Sequence, residues 1–340
     1  MENKNIPVDP YGEKIEKNAN YAKALDCLSK GKTEQGLCCA IRAYKEIFGV
    51  EPNEEKAKQW LMRAIEHGYE PTQTNKVYLA EGLIHYKEAY NNLLAALKKE
   101  QIEVDLLPLT QSPKHIWVRD FMPIQLSKNL FFSYKYLPDY LYDSQDYIPD
   151  YNTIINCLHL NCISSDIVLD GGNVVRCADK AIMTDKIFKE NPKYGKIELL
   201  SKLEDLMQTQ IILIPWDRHE IFGHADGMVR YISESRVLLN NYADFDPSLR
   251  RRLVGALSPH FIVEELEYCS PRYNKLSWAY LNFLQTNNCI FIPGLHAKED
   301  LLAAEQIRQY YPNYKVIQIQ GCQQLAQEGG ALNCISWNVF

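Results

Sequence analysis

The chain has 340 residues, a formal net charge of −6 and 46% hydrophobic residues. Its length allows a large core and one or two domains, whereas an acidic chain without clusters of Lys and Arg does not favour nucleic-acid binding. No apolar run approaches the roughly 20 residues of a membrane span, and residues 1–11 lack the apolar segment of a secretory signal. We therefore expect a cytoplasmic protein without nucleic-acid or membrane partners, whose ten cysteines are reduced thiols.

Residues 1–70 are predicted to form a small all-helical domain. In the segment 53–68, apolar side chains recur at helical spacing: Ala57, Trp60, Leu61, Ala64 and Ile65. With the flanking Gly49–Val50 and Gly68, this pattern resembles one Sel1-type repeat, a relative of the tetratricopeptide repeats. Solenoids need about three repeats, so a helical extension packed on the main domain is the alternative. Such helices could cover a site, form a homo-oligomer or bind a protein partner.

Residues 71–340 are predicted to form a second domain in which strands and helices alternate. The strand predictions are Lys76–Ala80, Val104–Leu109, Leu130–Tyr134, Ile167–Leu169, Ala181–Thr184, Ile211–Ile214, Val237–Asn240, Cys289–Ile292 and Val316–Ile319. The helix predictions are Tyr86–Lys99, Leu199–Met207 and Lys298–Tyr310. This alternation predicts an α/β domain. No glycine-rich phosphate loop and no zinc-ligand spacing occur, so we expect neither a cofactor nor a metal.

Four polar clusters lie between these elements. They are Trp117–Asp120, Asp170–Asn173, Gly223–Gly227 and Glu328–Trp337, the last of which contains Cys334. Together they supply one thiol, one imidazole and three carboxylates, which are the groups required for nucleophilic attack on a cationic carbon.

Cys334 is the candidate nucleophile, and a buried cysteine in a last strand is the alternative. Gly329 and Gly330 before it permit the close approach of a ligand. The thiolate is the reactive form, and a free cysteine with a pKa of about 8.5 needs a positive neighbour to form it. His224 can move protons near neutral pH. On an extended segment, His224 and Asp226 would face one cavity, although a simple turn is the alternative.

Asp120 and Trp117 are candidates for binding a flat cation. An aromatic face attracts a cation, and a carboxylate pairs with two N–H groups of a guanidinium. The alternative is a surface salt bridge made by Arg119. Asp170 either orients the imidazole of His224 or marks an ordinary strand-to-turn junction.

In this order the clusters resemble the agmatine deiminases and the bacterial-type peptidylarginine deiminases of the guanidino-group-modifying superfamily. Their W-x-R-D-x-G-P, acid-Gly-Gly and G-H-x-D motifs match residues 117–123, 170–172 and 223–226. Their terminal Gly-Gly and cysteine match Gly329, Gly330 and Cys334. The resemblance implies a five-bladed α/β propeller, the pentein fold, with the site at its centre.

The resemblance also implies residue roles. Cys334 attacks the guanidinium carbon and His224 protonates the leaving nitrogen, while Asp120 and Asp226 hold the guanidinium and Asp170 supports protonated His224. Trp117, Arg119, Asn173 and Gly330 complete the predicted substrate-binding set. The implied reaction is a hydrolysis that yields a ureido product and ammonia, without a metal or cofactor.

The sequence departs from the family pattern at two positions and suggests a class of substrate. Met122 replaces a glycine, and Asp170 stands where agmatine deiminases usually have Glu. No Lys or Arg occurs between Lys135 and Arg176 to bind a substrate carboxylate. We therefore expect a small guanidino compound such as agmatine. The alternatives are a peptidylarginine deiminase, an amidinotransferase that uses an amine acceptor, a zinc hydrolase and a catalytically silent binding protein.

The carboxylates predict the charge state of the nucleophile. A unit charge about 4 Å from the sulfur is worth roughly 4 kcal/mol at an effective dielectric near 20, or up to about 3 pKa units. Asp120 and Asp226 should therefore keep Cys334 as a thiol in the free protein. A bound guanidinium would offset them and favour the thiolate.

Overall fold

The computed structural model describes residues 76–339, except 128, 178–179, 234 and 269–275, together with residues 19–21, 23–24, 39–43 and 46. The chain divides into two units, residues 1–73 and 74–340. The described residues of the first unit are helical. The segment 53–68 of the predicted Sel1-type repeat lies outside the described residues, so the N-terminal helical domain stays a prediction.

The described part of the second unit contains fifteen strands. They are β1 (Lys76–Ala80), β2 (Glu103–Leu107), β3 (Ile124–Ser127), β4 (Leu130–Lys135), β5 (Cys162–Val168), β6 (Val175–Arg176), β7 (Lys180–Thr184), β8 (Gln210–Ile214), β9 (Val229–Ser233), β10 (Arg236–Leu239), β11 (Ile262–Glu265), β12 (Leu284–Gln285), β13 (Cys289–Pro293), β14 (Lys315–Ile319) and β15 (Ser336–Val339).

These strands form five three-stranded sheets with one shared topology. Their orders are β15-β1-β2, β3-β4-β5, β6-β7-β8, β9-β10-β11 and β12-β13-β14. In every sheet the first strand is antiparallel to the middle strand, and the middle strand is parallel to the third. The fold is the expected five-bladed α/β propeller. The C-terminal strand β15 completes the blade that contains the strand β1.

Helices connect the parallel strands of the blades, as parallel pairing requires a crossover. The α-helices of the described second unit are α1 (Lys87–Lys99), α2 (Val118–Phe121), α3 (Tyr151–Cys157), α4 (Lys186–Glu190), α5 (Lys196–Met207), α6 (Tyr242–Phe245), α7 (Pro247–Leu257), α8 (Asp300–Tyr310) and α9 (Gln323–Gln327).

Each of the longer crossover helices buries the side chains of one narrow face. In α7, Leu249, Leu253 and Leu257 are buried at a spacing of four residues, which places them on one helix face. The helices α1 and α5 use the same spacing. Asp246 caps α7 by accepting hydrogen bonds from the N–H groups of Ser248 and Leu249.

The predicted strands all overlap observed strands, but the prediction missed the first strand of every blade and also β11. These first strands are short, with only two residues in β6 and β12. Two residues cannot display a period of two, so no pattern in the sequence marks β6 and β12. The motif-bearing loops lie immediately before these missed strands.

None of the helices in the described ranges combines the length and apolar character needed to cross a membrane.

Candidate active site

The predicted chemical groups, together with Asn282, lie in the short segments that precede the first strands of the blades. Asp120 precedes β3, Asp170 precedes β6, His224 and Asp226 precede β9, Asn282 precedes β12 and Cys334 precedes β15. Because the blades share one topology, these loops emerge at the same end of the propeller. Residues as distant in sequence as Asp226 and Cys334 are therefore in contact.

His224 lies between two carboxylates. Its Nε2 atom is 2.9 Å from Asp170 Oδ2, and its Nδ1 atom is 3.7 Å from Asp120 Oδ1. All three residues are buried. Burial opposes the charged imidazole, yet Asp120, Asp170 and Asp226 outweigh it and raise the pKa of His224 to about 10. The ring is therefore protonated at neutral pH, as an acid that protonates a leaving group must be.

The local conformation around His224 corrects one expectation. The segment is not extended throughout, because Asp226 lies in the 3₁₀ turn Ala225–Gly227 that follows extended His224. The turn separates the partners of the two side chains. His224 contacts Asp120 and Asp170, whereas Asp226 contacts Cys334.

Asp120 does not follow a strand but lies on the short helix α2. The backbone N–H of Gly172 donates a hydrogen bond to Asp120 Oδ1 over 3.2 Å. A side chain at Gly172 would collide with this carboxylate and with His224, since a Cβ there would lie 2.7 and 2.6 Å from them. Burial raises the pKa of Asp120 to about 7, although His224 lowers it.

Cys334 contacts the second predicted guanidinium-binding carboxylate. Its Sγ atom lies 3.8 Å from Asp226 Oδ2, and the thiol is 4% exposed. The amide of Asn333 donates to the same Oδ2 atom over 2.6 Å. Burial raises the pKa of the Cys334 thiol well above its usual value, and Asp226 and Asp120 raise it further. These effects favour a neutral thiol in the empty site, the direction that we expected.

The loop that carries Cys334 is held by polar groups of two other blades. Asn282 Oδ1 accepts hydrogen bonds from the N–H groups of Ala331 and Cys334, both over 3.2 Å. The backbone N–H of Arg119 donates to the carbonyl oxygen of Cys334 over 3.0 Å. Cys334 is therefore anchored through its backbone, independently of its sulfur.

Aromatic rings pack around His224 and beside the glycines before Cys334. The ring of Tyr140 lies 5.1 Å from that of Phe222 and 6.2 Å from that of His224, and Tyr140 Oη donates to Asp170 over 3.4 Å. Trp117 packs against Gly330 so closely that a Cβ at Gly330 would lie 2.0 Å from its ring. These rings give the cluster apolar walls.

Two predicted substrate-binding residues make structural contacts. The guanidinium of Arg119 donates to Asn338 Oδ1 over 2.7 Å and to the carbonyl oxygen of Asn333 over 3.3 Å. Asn173 Oδ1 accepts from the N–H of Thr184 over 2.9 Å. A contact between these two residues and a substrate stays a prediction.

The sequence interpretation missed Asn282 and Asn333. Asn333 directly precedes Cys334, so its position in the chain could have marked it. Asn282 lies 52 residues upstream of Cys334 in no recognisable motif. Only the repeated blade topology places it beside Cys334. Within the described residues, no group of three or more His, Cys, Asp and Glu side chains is arranged to hold a metal ion.

Residues 50–339 match the family model of the Porphyromonas-type peptidyl-arginine deiminases. The chain belongs to this family. Membership agrees with the order of the four motif clusters and with the propeller that brings them together.

Known relatives of this family member share limited sequence identity with it. A Mycoplasma capricolum protein that is provisionally named an agmatine deiminase is 24% identical over 209 residues, covering 51% of this chain and 57% of the relative. A similarly named Shewanella baltica protein is 23% identical over 213 residues, with coverage of 52% and 57%. The chain thus spans little more than half the length of the curated relatives it matches.

Solved structures share the fold. The agmatine deiminase of Enterococcus faecalis has a TM-score of 0.63 at 18% identity and covers 80% of this chain and 94% of its own. The C. jejuni agmatine deiminase has a TM-score of 0.62 at 17% identity, with the same coverage of both chains. At these identities the likeness establishes the propeller of this family and no more.

Proposed function

We propose that this family member is a cysteine-dependent hydrolase that cleaves a guanidinium C–N bond. The observation that carries the proposal is the convergence of four loops from different blades. The thiol of Cys334 lies 3.8 Å from Asp226, and His224 lies between Asp120 and Asp170. The buried carboxylates are complementary to a planar cation, while the thiol and the protonated imidazole supply a nucleophile and an acid.

Asp120 and Asp226 bind the guanidinium in this proposal. Each carboxylate can pair with N–H groups of a planar cation, and both are shielded from water. Binding brings a positive charge beside the sulfur. The charge offsets the two carboxylates that disfavour ionisation of Cys334, so the thiol releases its proton to water and the thiolate forms beside the guanidinium carbon.

The thiolate of Cys334 attacks the central carbon of the guanidinium. Protonated His224 then gives its proton to the departing nitrogen, and ammonia leaves as the C–N bond breaks. The product on the enzyme is a cationic amidino group attached to sulfur. Neutral His224 next accepts a proton from water, whose oxygen attacks the same carbon and expels the thiolate. The hydroxyl proton of the adduct returns to the sulfur as the ureido product is released, and the proton that the thiol released earlier converts ammonia to ammonium.

The proposed substrate is a small guanidino compound such as agmatine. Support comes from the stretch between Lys135 and Arg176, which contains no cation to bind a substrate carboxylate. The nearby Lys186 is already paired with Asp139 and Glu190 at 3.2 and 3.1 Å. The acidic residues of this stretch are partly engaged as well, since Asp139 pairs with Lys186 and Asp150 caps α3.

Peptidyl-arginine is the second candidate substrate, because the matching family model carries that description. The proposal also keeps a cytoplasmic location, and an oligomer or partner bound through residues 1–70 stays a prediction.

The test is an assay of the purified full chain for ureido product and ammonia. Agmatine, free arginine and arginyl peptides are supplied separately, without an amine acceptor, alongside a Cys334→Ala control. We expect the highest kcat/KM with agmatine and no turnover by the control. Turnover of peptides alone would replace the small-molecule proposal, and amidino transfer that requires an added amine would indicate a transferase. Activity in Cys334→Ala would refute the mechanism.

A further inference from the structure

Lys186 is a buried cation to which the proposed chemistry assigns no role. It is the first residue of α4, and its side chain is 1% exposed. Its Nζ atom lies 3.2 Å from Asp139 Oδ1 and 3.1 Å from Glu190 Oε1. It also donates a hydrogen bond to the carbonyl oxygen of Phe222 over 2.7 Å. One ammonium group therefore joins helix α4, the 3₁₀ turn that begins at Asp139 and the segment that leads to His224.

All four backbone polar groups of Phe222 and Gly223 are paired with side chains. Their N–H groups donate to the carboxylate of Glu220 over 2.7 and 2.6 Å. The carbonyl oxygen of Gly223 accepts a hydrogen bond from the hydroxyl of Thr184 over 2.6 Å, and that of Phe222 accepts one from Lys186. The backbone that precedes the candidate acid is thus fixed at each of its polar groups.

Lys186 and Gly223 also fit each other sterically. Gly223 has a φ of +69°, and a Cβ there would lie 2.4 Å from Lys186 Cδ. The aliphatic part of the lysine therefore occupies the space that a side chain would need. Because the carbonyl group of Phe222 and the Cα atom of Gly223 belong to one peptide unit, Lys186 contacts this unit through both its methylene groups and its ammonium.

The ion pair with Asp139 connects Lys186 to His224 by a second route. Asp139 is followed by Tyr140, whose ring lies 6.2 Å from the ring of His224 and 5.1 Å from that of Phe222. The ammonium of Lys186 lies 4.6 Å from the centre of the Tyr140 ring, within the range of a cation–π contact. The ring of Phe222 itself lies 5.9 Å from the imidazole. Lys186 thus contacts both residues whose rings pack against His224.

Buried ion pairs such as those of Lys186 often stabilise a fold no more than apolar side chains of the same volume would, because removing charges from water is costly. Its hydrogen bond to the backbone is directional, however, and ends two residues before His224. Burial disfavours the charge of Lys186, yet the surrounding carboxylates, Glu190 first, outweigh burial and raise its pKa above the usual value. The ammonium is therefore charged and acts as a donor throughout the neutral range.

We propose that Lys186 is a positioning residue for His224. By binding the carbonyl group of Phe222, it holds the imidazole between Asp120 and Asp170. The proposal deepens the proposed function, on which it rests, because it assigns the group that orients the acid. Lys186 contacts no reacting atom in this scheme and acts only through the backbone and rings next to His224.

The sign of one shift separates this role from a purely electrostatic one. If Lys186 acted only through its charge, its removal would raise the pKa of His224, because a positive charge near the imidazole would be lost. If Lys186 positions the ring, its removal lets the imidazole move away from Asp170, and the pKa falls towards its ordinary value. The titratable groups that face the imidazole are unchanged in every variant used, and they are Asp120, Asp170, Asp226, Glu220 and Tyr140.

The experiment measures the pKa of His224 by NMR in the full chain with ¹⁵N-labelled histidine. The resonances are assigned by their loss in His224→Gln. Lys186→Met keeps most of the aliphatic side chain and removes the ammonium. We expect a pKa lower by at least about one unit, so that a ring about 90% protonated at pH 9 in the parent is about 50% protonated or less in the variant. An unchanged or higher pKa overturns the proposal.

Lys189→Met is the matched control. Lys189 lies on the same helix and pairs with the same carboxylate, at 2.6 Å from Asp139 Oδ2. It is 58% exposed, and within the described part of the chain it makes no hydrogen bond to Phe222. Its replacement should leave the pKa of His224 unchanged. An equal fall in both variants would show that the bond from Lys186 to Phe222 is not the cause, which also overturns the proposal.

A double variant keeps the test decisive if Lys186→Met does not fold. Burial raises the pKa of Glu190, so the isolated carboxylate is the group that the single substitution leaves without its cation. Lys186→Met combined with Glu190→Gln removes both charges of this pair and leaves Asp139 paired with Lys189. The same fall in the pKa of His224 is expected, and a constant value refutes the positioning role.

The NMR titration requires no turnover, so the two proposals can fail separately. A lower pKa of His224 in Lys186→Met, without any ureido product from the parent, would remove the hydrolase function and keep the positioning role. Ureido product from the parent together with an unchanged pKa in the variant would keep the hydrolase function and remove the positioning role.

Discussion

His224 has a carboxylate near each of its ring nitrogens, and this arrangement couples its charge to the stability of the fold. The raised pKa of about 10 means that folded His224 retains a proton that the unfolded chain loses near pH 6.5. Its stabilising contribution is therefore complete below about pH 6.5 and disappears as the pH rises through about 10. His224 thus contributes to stability in the pH range in which it carries a proton.

Replacing Asp170 with Asn should reduce this coupling. The variant removes the carboxylate that contacts Nε2 at 2.9 Å, so the pKa of His224 should fall towards its ordinary value. The parent should lose up to about 1.4 kcal/mol of unfolding free energy per pH unit from His224 between pH 7 and 10, and the variant distinctly less. Asp120 has a pKa of about 7 and therefore changes the unfolding free energy little between pH 7 and 10.

Urea unfolding at pH 7, 8, 9 and 10 gives the unfolding free energy of each protein as a function of pH. The slopes of the parent and of Asp170→Asn are then compared. Asp166→Asn is a suitable control, because Asp166 is an exposed carboxylate that pairs with Lys202 at 3.4 Å, away from the cluster. If the unfolding free energy depended on pH equally in the parent and in Asp170→Asn, the contact with Asp170 would not be the cause of the high pKa of His224.

At the scale of elements, the site depends on short loops packed against short strands. The loop before β15 passes so close to Trp117 that Gly330 has no room for a side chain. The crossover helices, in contrast, have exposed faces that tolerate change. Gly255 in α7 would place a Cβ in open space, with no atom within 4 Å.

Two glycine substitutions should therefore have opposite effects. Gly330→Ala forces a Cβ to 2.0 Å from the ring of Trp117 and should lower the unfolding free energy by about 1–3 kcal/mol. Gly255→Ala should raise it by about 0.5–1 kcal/mol, because alanine favours the helix. Thermal unfolding with parallel assays of Cys334 alkylation tests both. A Gly330→Ala variant as stable as the parent would show that Trp117 moves freely.

At the scale of the whole propeller, the strand β15 closes the ring of blades. β15 pairs with β1 from Ser336 opposite Leu79 to Val339 opposite Lys76. Trp337 in β15 also makes a hydrogen bond to the neighbouring blade, in which its Nε1 donates to the carbonyl oxygen of Pro123 over 2.9 Å. Its ring packs 5.8 Å from Phe131 of that blade. Cys334 is therefore held between the first and second blades.

Trp337→Ala should destabilise the protein by about 3–5 kcal/mol, because it empties a buried aromatic position at this junction. Trp337→Phe keeps a ring and loses chiefly the bond to Pro123, so about 1 kcal/mol is expected. Urea unfolding of the two variants measures the loss of unfolding free energy in each. Equal losses would mean that the hydrogen bond, rather than the ring, joins the blades.

The sequence by itself determined the chemical groups and the longer elements. Cys334, His224 and the carboxylates stand in short motifs whose order is visible without coordinates. The buried face of α5 and the apolar run of β13 follow from periodicity and composition, because local packing and local sequence agree there. Contacts between residues of different blades could not be read in this way. No local signal connects Asn282 to Cys334 or marks the two-residue strand β6.

Only the tertiary structure decided which of these groups meet. The distance between Asp226 and Cys334 depends on closure of the ring through β15, and the charge of His224 depends on the carboxylates that the ring brings to it. Sequence patterns report the faces that an element buries, whereas the pKa of a side chain depends on neighbours that the chain brings from elsewhere. The propeller thus converts motifs from separate blades into one buried acid–thiol cluster.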